Sequence, residues 1–113
     1  MRYMLLYLES RPEPGTPEAE RALTDIVAFN QECRERGVLV ASGPLQEPAT
    51  ATTVRVRDGR TLTTDGPYAE VKEWLGGYFL LDCRDLDEAL ELAARCPTAA
   101  SGSVEVRPLL DRG

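Results

Sequence analysis

Apolar and polar positions along the chain predict several short β-strands. Residues 2–8 and 77–83 are apolar runs of strand length, with apolar side chains on both faces of each strand. Residues 38–41 predict another strand, which a turn at residues 42–44 would close. Residues 103–107 alternate valine with charged side chains, a pattern typical of a half-buried strand at a sheet edge.

Two connections between these strands carry the signals of an α-helix. Thr16 and Pro17 are typical of a helix start, because a hydroxyl can cap the first turn and proline fits its first position. This helix is expected to end at Gly37. Its apolar stripe consists of Ala22, Leu23, Ile26, Phe29 and Cys33. A second helix is expected to begin after the cap residue Asp85 and to end before Pro97.

A β-hairpin is predicted between the second and third strands of the sheet. Residues 52–57 alternate polar and β-branched side chains, and Asp58-Gly59 is a strong signal for a two-residue turn. Residues 61–64 would form the returning strand. Residues 68–74 predict a loop or one short helical turn.

The order of these elements is β-α-β, an inserted hairpin, and β-α-β, in a single domain of residues 1–113. This is the split βαβ arrangement of ferredoxin-like α+β folds, βαββαβ, in which two helices cover one face of an antiparallel sheet. In that topology the strands at residues 2–8 and 77–83 lie in the centre of the sheet. Their two apolar faces agree with this position.

The first strand also predicts an assembly. Neither of its faces is polar, since one carries Tyr3, Leu5 and Tyr7 and the other Met4, Leu6 and Leu8. A helix-free sheet face in water should carry polar side chains. We therefore expect a second copy of the chain to cover this face, giving a homodimer with a cavity between the two sheets.

Composition and charge exclude several functions. The formal net charge is −6 over 113 residues without a basic stripe, which argues against direct binding of nucleic acid. Histidine is absent, so a histidine general base, a Ser-His or Cys-His pair and a histidine-ligated metal are excluded within one chain. The sequence predicts no metal and no cofactor. Any acid–base chemistry must use carboxylates, tyrosines, the single lysine or a thiol.

Cysteine usage and hydropathy bear on the cellular setting. Cys33, Cys83 and Cys96 lie among apolar neighbours without a C-x-x-C pair, which predicts small buried thiols. No apolar stretch approaches the length of a membrane span, and the first residues show no basic region followed by a cleavage site. The expected location is the cytoplasm, with no membrane partner.

The segment around the Asp-Gly-Pro sequence resembles a known signature. Residues 64–73, Thr-Asp-Gly-Pro-Tyr-Ala-Glu-Val-Lys-Glu, followed by Leu-Gly-Gly-Tyr at residues 75–78, resemble the DGPF branch of the YCII-related family. That branch carries Asp-Gly-Pro-Phe, and here Tyr68 takes the place of the phenylalanine. Further similar segments flank this signature at residues 3–6, 42–45, 95–97 and 102–108, so the resemblance spans nearly the whole chain in the right order. The resemblance implies a dimeric α/β barrel, related in fold to muconolactone isomerases and small cofactor-free monooxygenases.

The resemblance also bears on activity. Members of the other branch of the family carry a histidine on the first helix and an aspartate before the proline that ends the second, suggested as an active-site pair. Here no histidine is present and Cys96 stands before Pro97, so this pair does not carry over. In the DGPF branch the domain also occurs beside sigma-70-type factors, which implies a regulatory association.

Asp65 is the candidate catalytic residue. It ends a predicted strand beside the expected cavity, where it would act as a general acid or base or anchor a ligand. The alternative is an aspartate that shapes the turn by bonding to nearby backbone amides. The candidate ligand-binding residues are Tyr7, Ser42, Tyr68, Glu70, Lys72 and Tyr78.

Most of these candidates have a structural alternative. Tyr7 and Tyr78 would donate hydroxyls to a ligand or simply pack in the core or interface. Ser42 precedes Gly43-Pro44 without a base partner, which favours a role in a turn. Lys72 would pair with Glu70 or Glu73 or meet an anionic ligand, or the three side chains would form a solvated charge cluster.

Two functions remain open from the sequence. The first is a small-molecule-binding domain that acts as a metal-free, cofactor-independent isomerase or lyase, with Asp65 in a pocket at the dimer interface. The second is a non-catalytic accessory module associated with sigma-70-type transcription factors. The sequence by itself does not separate them.

Overall fold

The computed structural model describes residues 1–10, 12–67 and 73–110. The predicted elements occur in the predicted order, with one additional short helix before the last strand. They are β1 (Arg2–Glu9), α1 (Pro17–Glu35), β2 (Leu39–Pro44), β3 (Thr52–Arg57), β4 (Arg60–Asp65), β5 (Trp74–Asp82), α2 (Leu86–Arg95), α3 (Thr98–Ser101) and β6 (Ser103–Pro108). A single 3-10 turn, Pro48–Thr50, precedes β3. No helix in this described part of the chain is long and apolar enough to cross a bilayer.

The main sheet has four strands in the order β2-β5-β1-β6, and each neighbouring pair is antiparallel. The two apolar strands β1 and β5 are therefore central, as predicted. Leu5 of β1 lies opposite Phe79 of β5 and Val106 of β6, and this register places all three side chains on one face. The ferredoxin-like α+β fold is confirmed.

Both predicted helix starts are confirmed. Thr16 has an extended backbone, and its hydroxyl oxygen accepts a hydrogen bond from the Ala19 amide at 3.3 Å. The Asp85 carboxylate accepts one from the Glu88 amide at 2.9 Å. The Glu88 side chain returns to the Arg84 amide at 2.9 Å, so the reciprocal bond reaches one residue further back than a capping box requires.

The core lies between the sheet and the helices. Its buried apolar members are Tyr3, Leu5, Tyr7, Phe29, Cys33, Val38, Phe79, Leu81, Cys83, Ala89, Leu92, Ala93 and Cys96. The Phe29 ring of α1 meets the Phe79 ring of β5 edge-on, with centroids 5.0 Å apart at 82°. Burial of one such phenylalanine contributes about 2–3 kcal/mol to stability, so this contact fixes the C-terminal half of α1 on the sheet.

The N-terminal half of α1 is less buried than its apolar stripe predicts. Of the stripe, Ile26 is half-buried and Leu23 is 56% exposed, and the neighbouring Val27, which is not part of the stripe, is 59% exposed. Only Phe29 and Cys33 of this helix are fully buried. The first turns of α1 therefore leave a cleft above the sheet.

The segments at the ends of β2 and β5 differ from the prediction. Residues 42–44 do not form a closing turn but continue β2, because Gly43 and Pro44 lie opposite Tyr78 and Gly77 of β5. A proline is tolerated there because β2 is an edge strand. β5 begins at Trp74, earlier than predicted, and residues 68–72 of the predicted loop lie outside the described residues.

The inserted hairpin, residues 52–65, is confirmed and is called the arm below. Its strands pair only with each other in a two-stranded sheet. Asp58 and Gly59 form its turn with positive φ angles of 52° and 74°, as a tight hairpin turn requires. Every residue of β4 is exposed. The radius of gyration is 15.9 Å, whereas a compact domain of this length has about 13 Å, because the arm projects from the body.

Candidate functional site

A cleft lies between the N-terminal half of α1 and the ends of β1 and β2, and we call it the α1 cleft. It has two lobes that share the lining residues Tyr7, Leu23, Ile26 and Pro44. The exposed apolar side chains Leu23 and Val27 of α1 face this space, although helices normally turn such residues toward a core. Exposed apolar side chains gathered around a concavity are typical of a binding site.

The wide lobe has a volume of about 270 Å³. Beyond the shared residues its lining comprises Glu9, Pro12, Pro14, Ala19, Ala22 and Glu47. Prolines restrict the backbone and carry no amide hydrogen, so Pro12 and Pro14 give one wall an apolar, stiff surface. Glu9 and Glu47 supply carboxylates to an otherwise mainly apolar lobe.

The narrow lobe has a volume of about 140 Å³ and reaches toward the core. Its own lining residues are Val27, Asn30, Ser42, Gly43 and Phe79. The amide nitrogen of Asn30 in α1 donates a hydrogen bond to the hydroxyl oxygen of Ser42 in β2. Apart from the shared Tyr7, the lobe therefore combines apolar walls with one pair of uncharged polar side chains.

Tyr7 forms the floor between the lobes. The residue is 2% exposed, and its ring lies beside Phe79 with centroids 5.7 Å apart and planes inclined at 39°. Its hydroxyl occupies the space above Gly77, where any larger residue would place its Cβ. The glycine thus permits the position that Tyr7 takes in the cleft.

The structure brings together only part of the predicted site. Tyr7 and Ser42 both line the α1 cleft, on the helix-covered side of the sheet. Tyr78 lies on the opposite face, because it is the strand neighbour of the inward-facing Phe79, so it does not share a cavity with Tyr7. Tyr68, Glu70 and Lys72 lie outside the described residues.

Asp65 lies at the end of the arm, opposite Thr52. It is exposed, and it is not among the described residues that line either lobe. Its carboxylate does not shape the following turn through hydrogen bonds in the described part of the chain; there the Gly66 amide bonds to the Ala51 carbonyl at 2.7 Å and Thr53 donates to the Gly66 carbonyl at 2.9 Å.

Sequence reasoning missed Asn30, Glu9 and Glu47. Asn30 follows Leu23 by seven residues and Ile26 by four, so it lies on the apolar side of α1. A polar side chain on the apolar side of a helix could have indicated that Asn30 belongs to a binding site. Glu47 carried no comparable signal, because it follows an edge strand in an irregular segment.

The thiols do not offer nucleophiles to the site. Burial raises the pKa of Cys33 to about 11, and burial also raises the pKa of Cys83 and of Cys96. A thiol is nucleophilic as its thiolate, so these side chains are inert at neutral pH. The prediction of small buried thiols is confirmed. Among residues 1–10, 12–67 and 73–110, no three metal-ligating side chains gather in one place.

The protein is therefore a small α+β domain with a ferredoxin-like sheet and a cleft between that sheet and its first helix. The chain belongs to the YCII-related domain family, whose model matches residues 1–112. It is 43% identical over 94 residues to an uncharacterized protein of Rhizobium meliloti (strain 1021), with 81% of this chain and 76% of that protein covered.

A solved structure is also similar to this chain. It is the 5-chloro-2-hydroxyhydroquinone dehydrochlorinase of Burkholderia phenoliruptrix AC1100 in complex with 2,5-dihydroxybenzoquinone. The two proteins are 14% identical with a TM-score of 0.49, and the match covers 100% of this chain and 96% of the other.

Proposed function

We propose that the protein binds a small, mainly apolar molecule in the α1 cleft. The observation that carries this proposal is the exposure of Leu23 and Val27 toward a concavity whose floor is the buried Tyr7. Apolar side chains held open to water in this way gain free energy when a ligand covers them. The wide lobe, at about 270 Å³, is near the lower end of ligand pockets, about 300–1,000 Å³, which limits the ligand to a small molecule.

Proton transfer is the reaction class that this cleft would support. Glu9 and Glu47 line the wide lobe and offer carboxylates, while the cysteine thiols are protonated at neutral pH. Isomerisation or elimination fits such a site better than hydrolysis, which would need an activated nucleophile. Asp65 lies on the arm outside the described lining of the cleft, so its proposed acid–base role would depend on a second copy that carries it there.

We also propose a homodimer through the helix-free face of the sheet. Met4, Leu6, Leu8, Tyr78 and Leu80 are half-buried on that face, and Glu105 and Arg107 at its edge form an ion pair. A continuous apolar sheet face is stable in water when another surface covers it. Sedimentation velocity at micromolar concentration should show a dimer, and Leu6→Lys should shift it to a monomer. A monomeric wild-type protein would contradict the dimer without affecting the cleft.

The binding proposal is tested by replacing an exposed residue that lines the cleft with a larger one that blocks it. Ala22 is exposed and lines the wide lobe, so Ala22→Phe should occupy that lobe without disturbing the core. Ala28 is exposed on the same helix but outside the lining, which makes Ala28→Phe a matched control.

The measurement is a thermal-shift and NMR titration of the three proteins with a panel of small ring compounds. Wild type and Ala28→Phe should bind the same members, and Ala22→Phe should lose at least tenfold in affinity. Equal binding by all three proteins would place the ligand elsewhere. Absence of binding to wild type across the panel would reject the proposed ligand class.

A further inference from the structure

We infer that Asn30 and Ser42 form the recognition point of the α1 cleft, and that they select a neutral, ring-sized ligand with one hydroxyl or carbonyl group. This inference rests on the proposed binding function and names the chemistry of the ligand. The pair connects two elements, since Asn30 belongs to α1 and Ser42 to β2, and both residues line the narrow lobe.

The hydrogen-bonding capacity of the pair exceeds what the protein uses. An asparagine amide offers two donor hydrogens and an acceptor oxygen, and a serine hydroxyl offers one donor hydrogen and an acceptor oxygen. The bond from Asn30 to Ser42 uses one amide hydrogen and one hydroxyl lone pair. Within the described residues, neither the Ser42 hydroxyl hydrogen nor the Asn30 carbonyl oxygen is bonded to another side chain or to the backbone.

These remaining groups define what a ligand must present. The Ser42 hydroxyl can donate to a ligand carbonyl or hydroxyl oxygen, and the Asn30 carbonyl oxygen can accept from a ligand hydroxyl. The mutual bond holds the two side chains in a fixed relative position before a ligand arrives, which lowers the entropy lost on binding. The pair is half-buried, so a ligand would displace water from it.

The surroundings of the pair determine the rest of the ligand. Among the described residues that line the narrow lobe none is charged, and Leu23, Ile26, Val27 and Phe79 give it apolar walls. A charged group there would lose its hydration without an opposite charge, so a neutral ligand is favoured. The volume of about 140 Å³ is close to that of a cavity of about 150 Å³ that holds benzene, which suits a single ring.

The inference is tested with two probes of nearly equal size, phenol and toluene, which differ in one hydroxyl group. Their dissociation constants are measured by NMR titration on wild type, Ser42→Ala and Asn30→Leu. Ser101→Ala serves as the control, because Ser101 is exposed on α3 and lies outside the cleft. The quantity of interest is the ratio of the two affinities within each protein, since a general loss of affinity or stability cancels in that ratio.

Wild type and Ser101→Ala should prefer phenol over toluene by about 5- to 10-fold, the value of one ordinary hydrogen bond. Ser42→Ala and Asn30→Leu should bind toluene as wild type does and lose most of the preference for phenol. Binding of both probes with no preference in wild type, or a preference that both variants retain, would overturn the inference while leaving the cleft as a binding site. Absence of binding of both probes to wild type would reject the inference together with the binding proposal for this ligand class.

Discussion

The hydroxyl of Tyr7 lies directly over Gly77, in the space that a side chain at residue 77 would fill. A Cβ atom built on Gly77 would overlap this hydroxyl and would lie 2.5 Å from the carbonyl oxygen of Gly43. The tyrosine belongs to β1, the glycine to β5 and the carbonyl to β2, so three adjacent strands meet at this point. The absence of a side chain at Gly77 therefore sets the depth of the cleft floor.

Substitution of Gly77 by alanine should both destabilise the fold and impair the cleft. The new methyl group must displace the Tyr7 ring and the β2 backbone, and overpacking of this kind costs about 1–3 kcal/mol. We expect a lower free energy of unfolding in urea and a smaller ligand-induced rise in Tm.

Gly76→Ala is the matched control for this experiment. The three atoms nearest to a Cβ atom there all belong to the Glu9 side chain, whose far end can rotate away, so the free energy of unfolding should fall by less than about 1 kcal/mol. Equal losses in the two variants would show that the contact between Tyr7 and residue 77 does not control stability.

Glu88 of α2 is a buried carboxylate that links α2 to the end of α1. We expect it to contribute more to the free energy of unfolding than an exposed ion pair does. It is 5% exposed, and its carboxylate accepts bonds from the Arg84 amide and guanidinium, each at 2.9 Å. Arg36 at the end of α1 lies 3.7 Å from the same carboxylate. Glu88→Gln should lower the free energy of unfolding by about 1–2 kcal/mol, because the charge-assisted bonds of a buried group are lost.

Glu91 provides the comparison for Glu88. Its side chain is 57% exposed and pairs with the same Arg36 at 3.3 Å. Glu91→Gln should change the free energy of unfolding by no more than about 0.5 kcal/mol, as is usual for an exposed pair. Denaturant unfolding should show a larger loss of unfolding free energy for Glu88→Gln than for Glu91→Gln. Similar losses in the two variants would show that the burial of Glu88 does not strengthen its interactions.

Local signals in the sequence were sufficient for the elements but not for the cleft. Thr16, Asp85 and Asp58-Gly59 each act through neighbours in the chain, so their caps and turn could be predicted directly. The cleft depends instead on how α1 is positioned over the sheet. The packing of Phe29 on Phe79 holds the C-terminal half of the helix there and leaves its first turns apart from the sheet. A stripe of apolar residues does not reveal which of its members remain open to water.

At Ser42, long-range strand pairing overrides a local signal in the sequence. Ser-Gly-Pro is a common turn sequence, so residues 42–44 considered alone favour a turn. Pairing with β5 extends the strand through these residues and so carries Ser42 opposite Phe79, beside α1. The site therefore follows from long-range pairing, which single residues do not encode locally.

Stability should fall at alkaline pH because of the buried thiols. Burial raises the pKa of Cys33 from 9.0 to about 11 in the folded protein. Below pH 9 the thiol is protonated in both states; above it the unfolded chain releases its proton first, so the free energy of unfolding falls as pH rises through 11. Cys33 alone should contribute a loss of roughly 2–3 kcal/mol by pH 11 and above.

This pH dependence is measured by urea unfolding between neutral pH and pH 11, with Cys33→Ala as the comparison. The variant should be less stable at neutral pH, because it leaves a cavity, but its stability should fall less steeply with pH. Parallel curves for the two proteins would show that Cys33 does not titrate differently in the folded state.

Asp65, which the sequence favoured as a catalytic group, should contribute nothing to binding in the α1 cleft of its own chain. Asp65 and Asp58 are both exposed on the arm, one at its end beside Thr52 and the other in its turn. If the α1 cleft alone binds the ligand, Asp65→Asn and Asp58→Asn should each leave ligand affinity within twofold of wild type and change stability by no more than about 0.5 kcal/mol. The Asp58 variant is a suitable control because asparagine tolerates the positive φ angle of that position. A tenfold loss of affinity confined to Asp65→Asn would instead place Asp65 at the ligand, and loss of that effect in a monomeric Leu6→Lys background would show that the second copy supplies it.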